Sequence, residues 1–327
     1  MSTSATPHRP KIVVLDGYTL NPGDLSWNKL KALGDAEIYD YSSPDEVLMR
    51  AREAEIILVN KTIINADIIT QLPQLRCICV TATGYNNVDI TFAKSKNIPV
   101  CNVSGYGTDA VAQHVFALLL ELTNHVGQHY DTVLNGEWTR CRDFSYWKTP
   151  IVELAGKTMG IYGFGKIGQK VATIAQAFDM QVLATHKHPE RDARPGVTFV
   201  PLNELFTKCD VITLHAPMTD ENKGIVNKKL LSLMKSSAFI INTARGGLIN
   251  EADLKEALEN DQIAGAGLDV ISEEPPKNGN ILFGVKNCII TPHNAWGSVE
   301  ARERLMEETI RNIAAFEHGK PRNVVNE

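Results

Sequence analysis

The sequence predicts an α/β protein made of two doubly wound parallel-sheet domains, one inserted into the other. Short apolar runs alternate with helical patterns in two successive series, the signature of parallel strands joined by crossover helices. The 327 residues are enough for two separate cores. A turn with spaced glycines, Gly163-Phe164-Gly165-Lys166-Ile167-Gly168, heads the second series and not the first.

In the first series, strands are expected at Ile12 to Leu15, Ala36 to Tyr39, Ile56 to Val59, Cys77 to Val80 and Pro99 to Val103. Ser43-Pro44-Asp45-Glu46 reads as a helix start with Pro at the first helical position, and Asn65 can cap Ala66 to Gln71. Thr108 to Leu134 follows as one long helical pattern with Val111, Val115, Leu118, Leu119 and Leu122 on its apolar face. It is apolar enough all round to be buried between domains or subunits. Asn135-Gly136 ends it, and Glu137 to Pro150 is a polar and aromatic connector. The second series has strands at Thr158 to Tyr162, Gln181 to Thr185, Val211 to Leu214, Ala238 to Asn242, Ala264 to Leu268 and Cys288 to Ile290. Its helices include Lys166 to Phe178, Leu202 to Lys208 and Glu251 to Asn260. Ser298 to Phe316 is a final amphipathic helix that returns to the first domain. The expected division is therefore 1–104 plus 298–327 for one domain and 105–297 for the inserted one.

Bulk properties exclude several classes. A net charge of −5 with no long basic run argues against nucleic-acid binding, which needs clustered Lys and Arg. No apolar run reaches membrane-spanning length. Met1 to Pro10 is polar and reads as a loose tail, not a signal peptide, so a cytoplasmic location is expected. Cys77, Cys79, Cys101, Cys141, Cys209 and Cys288 are scattered, and the first three with Cys288 lie in strand-like runs; all are read as reduced. Cys77-Ile78-Cys79 lacks a second ligand pair, and His125 and His129 lack the glutamate of H-E-x-x-H, so no metal site is expected.

The glycine turn follows an apolar strand and opens a helix whose Ile167, Val171, Ile174, Ala175 and Phe178 share one face. In that context the spacing is the dinucleotide-binding, or Rossmann, arrangement. Gly163 permits the tight turn, Gly165 lets backbone approach a pyrophosphate, and Gly168 lets helix pack on strand. The phosphates would lie at the positive helix end, beside Phe164, Lys166 and Ile167. The competing reading is a turn rich in glycine for packing alone.

Arg245, Asp269 with Glu274 just beyond it, and His293 stand where later strands of this domain end, the side on which such sheets bind ligands. Hydride transfer to a 2-oxo acid needs a cation for the carboxylate, a proton donor for the developing alkoxide and a group that holds the donor. Arg245 can grip a carboxylate bidentately, His293 can donate a proton near neutral pH, and Glu274 can orient the imidazole and favour its protonated form.

Gly163-x-Gly165-x-x-Gly168, Asn242-Thr243-Ala244-Arg245-Gly246, Gly267-Leu268-Asp269 to Glu274-Pro275-Pro276, and Thr291-Pro292-His293 together resemble the D-2-hydroxyacid dehydrogenases, over nearly the whole chain. The resemblance implies Arg245, Glu274 and His293 as the catalytic trio and Asp269 near the nicotinamide. It implies Ala82-Thr83-Gly84 as a loop that, with Arg245 and His293, binds the substrate, a small 2-oxo or 2-hydroxy acid. Pro217, Thr243 and Ala244 are assigned to the cofactor, NAD(H) or NADP(H), as is His215, which reads either as a cofactor contact or as a strand cap, and a homodimer is expected. Asp143-Phe144-Ser145-Tyr146-Trp147 and Ala295-Trp296 are similar to the glycerate dehydrogenase, or hydroxypyruvate reductase, branch. The implied reaction is reduction of hydroxypyruvate or glyoxylate. The alternatives are a dehydrogenase for another 2-hydroxy acid and a nucleotide-sensing binding protein on the same fold.

The resemblance has one departure. An NAD site usually carries Asp or Glu at the end of its second strand, to hold the ribose 2′-OH. Here that end reads Thr185-His186-Lys187-His188, where Lys187, with His186, could meet a 2′-phosphate instead, so NADPH is expected to be accepted. The other reading is NAD held through backbone and Thr185. Arg302 to Glu308 and Glu251 to Glu259 read as solvated helix faces. Trp138, Tyr146 and Trp147 read either as packing residues or as aromatics that reach a substrate pocket, including that of a partner subunit.

Overall fold

The computed structural model describes residues 8–327, so the expected N-terminal tail lies outside the described residues up to residue 7. The chain divides into two compact units, Met1–Gly107 with Gly297–Glu327, and Thr108–Trp296.

The first unit holds strands β1 (Lys11–Val14), β2 (Asp35–Ile38), β3 (Ile56–Val59), β4 (Cys77–Val80) and β5 (Val100–Cys101), in the order β2-β1-β3-β4-β5. Every pairing is parallel. The two all-apolar runs, β3 and β4, are buried along their whole length, as strands covered on both faces must be. Helix α1 (Pro44–Ala51) starts with the reciprocal capping box of Ser43 and Glu46. Asn65 caps the short helix Ala66–Thr70 as expected, its side chain accepting from Ile68 N–H. The C-terminal helix Val299–Glu317 sends Ile313 into the core formed by Ile12, Leu58 and Cys79.

One expectation fails on this last helix. Arg302 is buried at 6% exposure and not solvated. Its guanidinium donates to both Asp24 carboxylate oxygens, to Leu20 O and to Gly297 O. Without those donors the Leu20 and Gly297 carbonyls would lose their partners, so this position needs a side chain with several N–H groups.

The second unit opens with helices α2 (Thr108–Asn124) and α3 (Val126–Leu134), a further correction. The single helix expected there breaks at His125, which takes a left-handed φ of 50° and turns the chain. Val111, Val115, Leu118, Leu119 and Leu122 are buried on α2, and Gly267 on the sheet lets Leu118 and Leu122 pack closely. There follow β6 (Thr158–Tyr162), α4 (Lys166–Ala177), β7 (Gln181–Thr185), α5 (Pro189–Asp192), β8 (Val197–Phe199), β9 (Val211–Leu214), β10 (Phe239–Asn242), α6 (Glu251–Glu259), β11 (Gly265–Leu268) and β12 (Cys288–Ile290). The order is β12-β11-β10-β9-β6-β7-β8, with parallel pairing throughout. From β6 the chain winds first to β7 and β8, then crosses to β9 and onward to β12. Order reverses between β6 and β9, where sheets of this kind open a crevice at their carboxyl ends. The three-residue β8 was not anticipated; it is too short to carry a pattern of its own.

Candidate active site

The glycine turn lies at that reversal, and its three glycines are needed for different reasons. Gly163 has φ 94°, and a Cβ there would fall 2.5 Å from Ala216 N, in the chain just past β9. A Cβ on Gly168 would fall 2.4 Å from Gly163 O, so the close contact of helix with strand requires its absence. Gly165 differs: a Cβ there meets no protein atom within 4 Å. It is also the N-cap of α4, and no side chain caps that helix. Open space in front of uncapped amides is what a bound anion fills. Lys166 is exposed beside it and Ile167 half-buried, whereas the Phe164 ring is fully buried against Phe199.

Past β7, both ring nitrogens of His186 are engaged. Nδ1 accepts from Phe164 N–H at 3.0 Å, and Nε2 faces Asp192 Oδ2 at 2.8 Å. Lys187 and His188 are exposed. Thr185 donates its hydroxyl to Val200 O, and its carbonyl accepts from Gly163 N–H. Asp192 escaped the reading of the strand end because it lies six residues further on, on α5. Hydrogen bonds from Arg191 first, and from His186, hold its pKa down to about 2, so it stays ionised.

Past β9, His215 is half-buried and its Nε2 meets Thr213 Oγ1 at 2.9 Å. Burial pushes its pKa down to about 3. A ring that stays neutral near neutral pH is a poor proton donor. The same depression links to stability. Unfolded His215 takes up a proton below its ordinary value of 6.5, while the folded ring resists until about 3. Its contribution to stability is thus intact above about pH 6.5 and is lost as pH falls toward 3. Thermal melts between pH 7 and 4 should show a smaller acid loss for His215→Asn than for the parent; superimposable pH dependences would reject this.

Three charged residues follow neighbouring strands: Arg245 after β10, Asp269 after β11 and His293 after β12. Buried Asn242 shapes the first loop by accepting from Ala244 N–H and donating to Arg245 O. The Arg245 side chain is exposed, with Nη1 donating to Ala244 O. Thr243 Oγ1 is buried and has no protein partner. Gly246 lies so close to the 271 segment that a Cβ would fall 2.0 Å from Ile271 C, so the loops of Arg245 and Glu274 are pressed together.

Glu274 uses Oε1 to accept from Ile271 N–H, and its Oε2 stands 2.5 Å from His293 Nδ1. The other imidazole nitrogen, Nε2, therefore faces away from the carboxylate. Glu251, expected on a solvated face, accepts from Ser272 N–H, Ser272 Oγ–H and the Asn280 amide, and so pins the loop that carries Glu274. Only the folded loop brings those donors to the helix start. Asp269, 1% exposed, accepts from Thr291 Oγ–H, Asn294 N–H and Ala295 N–H, wrapping the chain on either side of His293. His293 N–H reaches Asp269 O, and its φ of 51° is held by these bonds.

In the first unit, Ala82, Thr83 and Gly84 follow β4. Thr83 Oγ1 donates to Val103 O, and Ala82 O accepts from Val103 N–H, which fixes the loop to the end of β5. Among the aromatics left open between two readings, Tyr146 packs within its own chain, its hydroxyl 2.7 Å from Thr132 Oγ1, while Trp138 and Trp147 are exposed. The His129 ring is occupied by His125 O and Lys148 N–H. Among the described residues no group of three or more His, Cys, Asp or Glu is placed to hold a metal ion, and no helix is long and apolar enough to cross a membrane. All six cysteines are free.

The sequence profile of the D-isomer specific 2-hydroxyacid dehydrogenase NAD-binding domain matches residues 116–295, the stretch that carries the glycine turn and the His293–Glu274 pair. The chain belongs to that family. It is similar to a hydroxypyruvate reductase of Blautia hydrogenotrophica, 48% identical and covering 97% of this chain and 99% of the relative. A glycerate dehydrogenase of Methylorubrum extorquens is 42% identical, covering 96% and 98%. Among solved structures, an acyclic imino acid reductase in complex with NADPH and D-Arg superposes with a TM-score of 0.83 at 36% identity, covering 96% of this chain and 99% of that one. The protein is thus an oxidoreductase of the CH–OH group of 2-hydroxy acids, with a nicotinamide-dinucleotide-binding domain. The open space at Gly165, the uncapped start of α4 and the unpartnered Thr243 hydroxyl fit such a dinucleotide.

Proposed function

We propose that this dehydrogenase reduces hydroxypyruvate or glyoxylate to the 2-hydroxy acid, with His293 as acid, Glu274 as its holder and Arg245 as the carboxylate clamp. The observation that carries the reading is the 2.5 Å contact of Glu274 with His293 Nδ1 on a loop clamped by Asp269. It leaves Nε2 as the nitrogen that protonates the substrate oxygen. A bound nicotinamide supplies the hydride to C2. Arg245, exposed at the sheet edge, pairs with the substrate carboxylate. Gly163 to Gly168 and Thr243 hold the dinucleotide, with Ala244, Asp269, His215 and Pro217 along its course. The named relatives, a hydroxypyruvate reductase and a glycerate dehydrogenase, favour a substrate with a hydroxymethyl group.

Assays that follow nicotinamide absorbance with hydroxypyruvate, glyoxylate, pyruvate and phenylpyruvate test this. Hydroxypyruvate or glyoxylate should give the highest kcat/KM. Normal dinucleotide binding without turnover of any of the four would favour a nucleotide-sensing role instead.

For the dinucleotide we propose that NADPH is accepted. Residues 185–188 carry no carboxylate, Lys187 is exposed, and the charge on Asp192 is met by Arg191 and His186. The similar imino acid reductase is itself bound to NADPH. Lys187→Ala should raise KM for NADPH several-fold and leave NADH unchanged. A kcat/KM for NADPH far below that for NADH, with neither altered by the substitution, would remove the proposal.

A homodimer belongs to the same reading. Val126, Tyr130, Val133 and Leu134 form an exposed apolar stripe on α3, and Phe144 in the following connector is 93% exposed. Apolar surface of that kind marks a contact between proteins; a one-subunit mass by light scattering would exclude it. A reducing compartment such as the cytoplasm suits the six free thiols.

A further inference from the structure

Thr291 stands between two groups that compete for its hydroxyl. Its Oγ1 lies 2.7 Å from Asp269 Oδ1 and 2.9 Å from His114 Nε2, while His114 Nε2 is 3.6 Å from the same carboxylate oxygen. A threonine hydroxyl has one hydrogen to give and lone pairs to receive. The nearly fully buried Asp269 carboxylate accepts from Asn294 N–H and Ala295 N–H and stands nearer to Thr291, so the hydrogen goes to it, and the lone pair of Thr291 is left to accept from His114 Nε2–H. We propose that His114, on α2, is a positioning residue for the His293 loop: by donating to Thr291 it fixes the hydroxyl oxygen in the rotamer from which its hydrogen reaches Asp269.

Asp269 has two further bonds from Asn294 and Ala295, and its main-chain oxygen receives His293 N–H. The loop from Thr291 to Ala295 is thus closed around one carboxylate, with the left-handed His293 at its apex. Without the Nε2–H donor, the Thr291 side chain keeps only its bond to Asp269, one of three donors to the clamp loosens, and the apex loses its register against Glu274. The half-buried His114 reaches the clamp only through Thr291 and, at 3.6 Å, the edge of Asp269. It therefore acts on the geometry of the acid and does not touch the reacting atoms. The inference rests on the reading of His293 as the proton donor.

The test uses the full-length enzyme with hydroxypyruvate and NADPH. His114→Phe should lower kcat about tenfold, with KM and dinucleotide Kd within twofold of the parent. His114→Gln, whose amide can donate to the Thr291 hydroxyl, should recover most of the loss. Thr291→Val should reproduce it, and the double variant His114→Phe with Thr291→Val should be no worse than either alone. Amide hydrogen exchange over 291–296, read by mass spectrometry, should accelerate in His114→Phe and not in His114→Gln, which reports on the loop independently of turnover. Unchanged exchange in His114→Phe, additive losses in the double variant, or equal losses for Phe and Gln would overturn the role of His114. If exchange responds as expected while kcat does not, the loop is positioned by His114 but His293 is not the acid, and the proposed function fails instead.

Discussion

His293→Gln is expected to lower kcat for 2-oxo acid reduction by roughly 10²–10⁴-fold, the usual worth of a positioned general acid. Gln fills a similar volume and can hydrogen-bond to Glu274, but it cannot release a proton to the substrate oxygen. The dinucleotide is proposed to be held by the glycine turn and Thr243, not by His293, so its Kd, measured by nicotinamide fluorescence, should stay within about twofold. The surrounding clamp does not depend on the imidazole, since Asp269 bonds to Thr291, Asn294 and Ala295 and not to the His293 ring. A Tm close to that of the parent is therefore part of the expected result. A kcat within a few-fold of the parent would take the proton donor's role away from His293 and reopen the choice among the other groups at the sheet edge.

Gly165→Ala and Gly168→Ala should part company, although they belong to the same turn. At Gly165 the added Cβ meets nothing within 4 Å and the backbone has an ordinary φ of −75°, so the fold should lose no more than about 0.5 kcal/mol, as for most surface changes. The open space is where a pyrophosphate would approach, and dinucleotide affinity should fall at least about tenfold, equivalent to about 1.4 kcal/mol. At Gly168 the Cβ would fall 2.4 Å from Gly163 O. Main chain must move to admit it, which costs about 1–3 kcal/mol as overpacking and distorts the turn at the same time. Stability and binding should then fail together. Thermal melts and dinucleotide titrations on both variants check this, and parental affinity in Gly165→Ala would mean that no ligand uses that space.

The difference between these glycines shows how far the residues alone carry the reading. The close packing of Gly168 on Gly163 lies within the turn, so spacing alone points to it, whereas the neighbour that forbids a side chain at Gly163 is Ala216, far along the chain. Strands such as Ile56–Val59 and Cys77–Val80 were legible for a similarly local reason, because a parallel strand buried on both faces must be an unbroken apolar run. Strand ends then located Arg245, Asp269 and His293 along one edge of one sheet. The break at His125 was not legible, since the apolar pattern continues across it and only its left-handed backbone separates α2 from α3.

Charged side chains divide along the same line. Arg302 and Glu251 sit in helical charge patterns that look solvated, yet one is buried against Asp24 and two carbonyls and the other pins the loop of Glu274. Asp192 is absent from the strand end as written but returns to it through His186. His114 carries no signal in the sequence, because its partner Thr291 is 177 positions away.

The sequence by itself determined the two parallel-sheet units, the dinucleotide turn, the family and the chemical types at the sheet edge. These follow from local periodicity, steric need and side-chain inventory, all of which a chain carries with it. Tertiary structure alone decided which nitrogen of His293 meets Glu274, what Asp269 holds, and which charges leave solvent. A hydrogen bond needs its two atoms within about 3 Å, and for residues far apart in the chain only the folded backbone sets that distance.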